Sequence, residues 1–228
     1  MYGIYFCELN ETIDKSIYLT LLSLVSGEKQ QRVHNMRFTI DKKLSLYSEV
    51  LVRALACKIC GLKNHELSFT KNEYGKPYLT GISQFHFNIS HTRNAIAVAV
   101  ANERIGIDIE CIKTIDFNIA RRFFTEKERL FIQGEADKEN ETNKRFYEIW
   151  TQKEAYIKFM GKGLSISLGS FDVTKSSINE IVFCVEKNGY IISVCGLDVR
   201  KKSNKGIVEL SEIDLLEMVR GFEVNRYF

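Results

Sequence analysis

A chain of 228 residues with 45% hydrophobic and 27% charged residues has the balance of a globular protein able to bury a core. Its net charge of +3 is too small to point to nucleic acid, and no apolar run approaches the ~20 residues needed to cross a membrane. No secretion leader is legible at the start, and the six cysteines follow no framework spacing. Reduced thiols and a cytoplasmic location are therefore expected.

The first residues, Met-Tyr-Gly-Ile-Tyr-Phe, read as a strand. An apolar stripe from Asp14 to Val25 predicts a first helix. A second runs from Lys42 to Cys60 and is stopped by Gly61, a residue type that tolerates the left-handed turn closing a helix. Cys57 and Cys60 lie late in that helix and are read as core residues. A strand over Glu66–Thr70 follows, then a turn at Tyr74-Gly75 and the only proline, Pro77. Strands are expected at Phe85–Ile89, Ala95–Ala101 and Arg104–Glu110, the last two joined by the tight turn Asn102-Glu103. Asn118–Phe124 predicts a short helix, and Thr125-Glu-Lys-Glu128 has the form of a capping box opening the next. Glu135–Asn143 is polar and reads as a loop, and Phe146–Met160 as a long helix ended by Gly161. Strands over Ser170–Val173, Ile181–Glu186 and Tyr190–Val194 follow, with Asn188-Gly189 a hairpin signal. A last helix is expected over Glu212–Val219.

Two stretches carry chemistry. In Ile105-Gly-Ile-Asp-Ile-Glu110 the period of two sends three isoleucines to one face and Gly106, Asp108 and Glu110 to the other. Two carboxylates ~5 Å apart repel by about 3 kcal/mol at an effective dielectric of ~20, a penalty that a bound dication reverses. In Trp150-Thr-Gln-Lys-Glu-Ala-Tyr-Ile-Lys158 the four-residue spacing puts Trp150, Glu154 and Lys158 on one helical face. Three acids and a lysine suit an oxygen-liganded Mg²⁺ holding a phosphorylated substrate. The same residues also suit a solvated strand face and a surface ion pair. A faint internal repeat lays Arg53…Gly61 over Lys153…Gly161, offset by one hundred positions.

Gly106-Ile-Asp-Ile-Glu110 with Trp150-Thr-Gln-Lys-Glu-Ala155 and Lys158 resembles the signature of the 4′-phosphopantetheinyl transferases, in their longer, surfactin-synthetase-activating (Sfp-like) class. Tyr74-Gly-Lys-Pro77, Phe87-Asn-Ile-Ser-His91, Ala120-Arg-Arg-Phe-Phe124 and Gly161-Lys-Gly-Leu-Ser165 match in the family's order. The resemblance implies an α+β fold of two similar α/β halves related by pseudo-twofold symmetry, here 1–103 and 104–228, with the site between them in a monomer. It implies transfer of the phosphopantetheine arm of coenzyme A to a serine of an apo acyl or peptidyl carrier protein, leaving 3′,5′-ADP. Asp108, Glu110 and Glu154 then correspond to the Mg²⁺-binding acids, with Mn²⁺ as a substitute. Glu154 is the base for the serine, and Lys158 contacts the diphosphate and protonates the leaving group. Ser90 and His91 would contact coenzyme A phosphates, Lys76 the nucleotide, and Lys29 and Arg32 its phosphates. Where the family has a basic and then a hydroxyl residue, this chain reads Lys42-Lys-Leu-Ser-Leu46, and Lys43 is expected to replace the missing cation. The carrier is expected to dock near Thr114–Arg129, largely through apolar contacts such as Phe117 with Arg121 and Arg122 at the rim. A diphosphate hydrolase using water, and a binding module without turnover, are the alternative readings of the same acids.

Overall fold

Local chemistry starts and stops most of the elements. The Asp14 carboxylate accepts hydrogen bonds from the Ser16 and Ile17 amides (2.9 and 3.0 Å), satisfying two orphan donors of the first helix. Gly61 and Gly161 close the two longest helices with φ of +69° and +70°. Thr125 and Glu128 cap each other's backbone amides as a reciprocal box. The computed structural model describes residues 2–134, 139–202, 206–220 and 222. In chain order these form β1 (Tyr2–Glu8), α1 (Lys15–Leu22), α2 (Gly27–His34), α3 (Thr39–Cys60), β2 (Phe69–Lys71), β3 (Pro77–Leu79), β4 (His86–Thr92), β5 (Ala95–Ala101) and β6 (Ile105–Cys111). Then come α4 (Asn118–Phe123), α5 (Glu126–Gln133), α6 (Glu139–Met160), α7 (Ser176–Asn179), β7 (Val182–Lys187), β8 (Tyr190–Gly196), α8 (Val199–Lys202), β9 (Val208–Leu210) and α9 (Glu212–Met218).

A four-stranded sheet in the order β4-β5-β1-β9 faces a three-stranded antiparallel sheet in the order β6-β8-β7. Strand β5 explains how they meet. Its seven residues are all buried, but Ile96, Val98 and Val100 join the core under α3, whereas Ala95, Ala97, Ala99 and Ala101 face Ile105, Ile107 and Ile109 of β6. Small side chains on one face let the two sheets approach closely, and the branched residues fill the space under the helix. Helix α3 covers the outer face of the first sheet. Helix α6 covers the second, where Thr151 and Ser193 share a buried hydroxyl contact of 2.8 Å. Both long helices have 22 residues.

Several expectations need correcting. The eight-residue α2 was not anticipated, because its sequence is polar and carries a single buried residue, Val33. Its signals were the Ser26 cap, an early Glu28 and the late basic residues Arg32 and His34. The strand over Ser170–Val173 does not form. A 3-10 turn spans Leu168–Ser170, and the polar groups of this stretch bond side chains instead: Val173 N donates to Glu128 (2.9 Å), while Leu168 O and Phe171 O accept from Lys153 (2.7 and 2.6 Å). The strand expected at Glu66 starts at Phe69, after a turn over Asn64–Glu66. Of the polar loop Glu135–Asn143, residues 135–138 lie outside the described residues, and helix α6 has begun by Glu139. It is helped by an Arg145–Glu141 pair at 3.2 Å and by Asn143, which accepts the Ile115 amide.

The segment 206–220 returns to the first half. Strand β9 pairs in parallel with β1, and Leu215 and Val219 enter the core beneath α3. Lys43 is completely buried there and donates to Asn10 O and Thr12 O (both 2.7 Å) and to Glu212 (2.5 Å). With all three N–H groups spent there, it does not supply the cation expected of it. Lys43→Met is expected to destabilise the fold by about 3–5 kcal/mol, because Glu212 is left as a nearly buried charge without its partner. Urea unfolding checks this, and a change below about 1 kcal/mol would contradict it.

Candidate functional site

The site lies on the seam between the two sheets, where edge strand β4 runs beside edge strand β6. Three side chains of β4, two residues apart, reach across. Asn88 Oδ1 accepts the Ile107 amide, Ser90 Oγ donates to Asp108 Oδ1, and Thr92 Oγ1 donates to Glu110 Oε2, each at 2.8 Å. The constant offset of 18 positions in the last two pairs makes the strands parallel along the seam. Alternation on β4 leaves Phe87 and Ile89 for the α3 core, and alternation on β6 turns Gly106, Asp108 and Glu110 toward α6.

Gly106 permits the close packing that brings α6 in. An added Cβ there would stand 2.1 Å from Ala155 O and 2.3 Å from Phe159 N. Helix α6 thereby presents Glu154 and Lys158 to the seam. Lys158 does not pair with Glu154, as a surface ion pair would. Its ammonium donates to Asp108 Oδ1 (2.6 Å) and to Ser90 Oγ (2.9 Å), leaving one N–H for a ligand. Glu154 lines a cavity of about 250 Å³ with Lys158, Asn88, Lys76 and Pro77. Burial, followed by the charge of Asp108, holds its carboxyl above the usual carboxylate range. Glu110 is raised as well, by burial first and in part by Asp108, against the Thr92 hydrogen bond. The three acids thus lie within electrostatic reach of one another.

Pro77 also lines an adjoining groove of about 510 Å³, walled by Lys29 and Arg32 of α2, Ser45 of α3 and Lys71. Lys29 and Arg32, three apart on α2, share a face toward it. Lys29 is already held by Glu49 at 3.2 Å. Ser45, the hydroxyl residue of the Lys42-Lys-Leu-Ser-Leu46 stretch, reaches the groove although the sequence alone assigns it no role. Lys76 is turned inward, its Nζ donating to Ile105 O (2.8 Å) and Lys158 O (2.5 Å). Burial, and then the Arg104 charge, bring its ammonium down to about 8. His91 lines a third cavity with Asp41, Leu44 and Arg93. Desolvation and the charge of Lys158 hold its imidazole below the ordinary value. The chain therefore gathers Ser90, Asp108, Glu110, Glu154 and Lys158, places Lys29 and Arg32 along the adjoining groove, and sets His91 in a separate cavity within electrostatic reach of Lys158 and Lys29.

Two family models divide the chain. Residues 13–103 match the 4′-phosphopantetheinyl transferase N-terminal model and residues 104–202 the 4′-phosphopantetheinyl transferase superfamily model. The 4′-phosphopantetheinyl transferase gsp of Aneurinibacillus migulanus is 35% identical over 209 residues, 86% of each chain. The 4′-phosphopantetheinyl transferase Sfp of Bacillus subtilis strain 168 is 35% identical over 173 residues, covering 76% of this chain and 75% of its own. The chain belongs to the 4′-phosphopantetheinyl transferase family. In this transferase no three His, Cys, Asp or Glu side chains among the described residues form a ready cage for a metal ion. Asp108 Oδ2, however, is buried without a hydrogen-bond partner among them. An all-oxygen donor set with one orphaned carboxylate oxygen fits a hard dication of the Mg²⁺ type, which keeps waters and takes further oxygens from a phosphorylated substrate.

Proposed function

We infer that this transferase moves the 4′-phosphopantetheine group of coenzyme A to a serine of an apo acyl or peptidyl carrier protein, giving the holo carrier and 3′,5′-ADP, in a Mg²⁺-dependent reaction. The convergence of Asp108, Glu110, Glu154 and Lys158 at the mouth of a cation-lined groove carries this reading. The nucleotide lies in the groove, its phosphates near Lys29, Arg32 and the Ser45 hydroxyl, with His91 and Ser90 toward the diphosphate. Asp108, Glu110 and Glu154 would hold the Mg²⁺, and its charge, when bound, would neutralise the diphosphate and polarise the phosphorus under attack. A serine hydroxyl is a poor nucleophile at neutral pH. Glu154, with its raised proton affinity, takes the hydroxyl proton as the new O–P bond forms. The P–O bond to the nucleotide's own phosphate breaks, and Lys158 supplies charge and a proton to that oxygen.

The carrier docks beside α4 and α5. Phe117 is only half-buried, but it packs on the small core of Ala120, Phe124 and Phe146, so it is not a free contact. The exposed apolar residues of this region are Ile119, Leu130 and Phe131, flanked by the exposed Arg121 and Arg122. The halves 1–103 and 104–228, their pseudo-twofold relation, a monomeric state and a cytoplasmic location belong to the same reading. The paired 22-residue helices, one over each sheet, support the two-half relation.

Mass spectrometry of an apo carrier incubated with coenzyme A and the protein tests the proposal. The expected result is gain of one phosphopantetheine group per carrier, matched by 3′,5′-ADP and abolished by a chelator. Release of 3′,5′-ADP without any carrier would replace a transferase by a hydrolase, and coenzyme A binding without turnover would leave only a binding module.

A further inference from the structure

Lys76 comes from the β2–β3 hairpin of the first half, yet its ammonium is spent on the backbone of the second. Gly161 N donates to Ile157 O as the last turn of α6 closes (3.0 Å). The carbonyls beyond that point are among those a helix end leaves without helical donors. Two side chains of one turn supply them. Lys76 Nζ reaches Lys158 O at 2.5 Å and Ile105 O at 2.8 Å, and Asn72 Nδ2 reaches Gly161 O at 2.9 Å. The turn is itself set by Asn72, whose Oδ1 accepts the amides of Tyr74 (3.0 Å) and Lys76 (2.9 Å). A cation at a helix C-terminus also opposes the negative end of the helix dipole. Lys158 is thus gripped twice, by its ammonium at Ser90 and Asp108 and by its carbonyl at Lys76.

We propose that Asn72 and Lys76 form a clamp between the halves that fixes the end of α6, so that Lys76 is a positioning residue acting through Lys158 rather than an ionic partner of the nucleotide. This deepens the transferase reading above and rests on it for the kinetic part alone. A side chain already donating to two carbonyls has one N–H left, whereas a shift of about 1 Å in a catalytic group costs on the order of a hundredfold in rate.

Three variants test the clamp: Lys76→Met removes the donor, Asn72→Asp keeps the turn but loses the donor to Gly161, and Lys76→Arg keeps a cationic donor. Each is assayed for carrier modification, for 3′,5′-ADP affinity by calorimetry, and for amide hydrogen exchange over residues 157–163. Lys76→Met and Asn72→Asp are expected to lower kcat by about 10–100-fold. The KM for coenzyme A and the Kd for 3′,5′-ADP should move by less than about threefold. Exchange over 157–163 should quicken, and Lys76→Arg should recover most of the loss. Tenfold or weaker 3′,5′-ADP binding with unaltered exchange and kcat would make Lys76 a nucleotide ligand and overturn the proposal, as would no change in any readout. Should the wild type itself fail to modify a carrier, the transferase reading falls, while the exchange and calorimetric measurements still decide the clamp.

Discussion

Asp108→Asn is expected to lower kcat/KM by about three orders of magnitude or more, roughly 4 kcal/mol of transition-state stabilisation. The carboxylate stands at the centre of the site: one oxygen takes Ser90 and Lys158, and the other is buried and unpartnered among the described residues. The asparagine keeps shape and loses charge, so Lys158 loses its ion pair and the proposed dication site loses a charged ligand. The fold should suffer far less than the rate. Glu110 and Glu154 are each pushed upward in part by the Asp108 charge. An acid whose folded pKa is raised makes the folded state lose stability as pH climbs from the unfolded to the folded value. Removing the Asp108 charge relieves that repulsion and offsets the lost ion pair. Added Mg²⁺ should raise the Tm of the wild type by mass action and leave that of Asp108→Asn unmoved. Undiminished turnover, or an equal Mg²⁺ response in the variant, would remove Asp108 from the metal site.

Gly106→Ala is expected to destabilise the fold strongly and to abolish activity together. The new methyl would meet Ala155 O at 2.1 Å and Phe159 N at 2.3 Å, and helix backbone cannot rotate aside as a flexible side chain can. Overpacking commonly costs 1–3 kcal/mol, and displacement of a whole buried helix should exceed about 3 kcal/mol, a large share of the ~5–15 kcal/mol that a domain has. Any protein that still folds should have lost activity, because the same displacement carries Glu154 and Lys158 away from Asp108. Gly169→Ala is the control, since the nearest atom to its added methyl is Phe123 O at 3.8 Å. Chemical denaturation of both variants gives the comparison. Equal stability of Gly106→Ala and wild type would disprove the close packing of α6 on β6.

What could be read in advance was what short periods and single residues encode. Alternation placed the acids of β6 on one face, glycines marked both long-helix ends, and Glu154 and Lys158 sit where the helix period places them. What escaped depends on partners distant in the chain. Lys43 was expected to be a cation of the site because it stands beside the position where the resembling family has a basic residue, yet its acceptors come from residues 10, 12 and 212. The capping role of Glu128 was legible three residues from Thr125. Its second role was not: buried completely, it pairs with the equally buried Lys153 at 2.8 Å. Neither charge has a local signature, since the desolvation cost is met only once α5, α6 and the 168–173 turn are assembled. Thr92 and Asn88 were overlooked for the same reason, as their partners lie on another strand.

The return of segment 206–220 to β1 bears on how the molecule comes into being. As the chain emerges during synthesis, β1 has no neighbour on one side and Lys43 no carboxylate until the second sheet has already been made. The first sheet therefore gains its fourth strand, and Lys43 its carboxylate, only after the residues of the second sheet have been synthesised. Two halves that look separable in sequence are thus joined at the edge of the first sheet away from the reactive seam, through β9 and the Glu212 carboxylate.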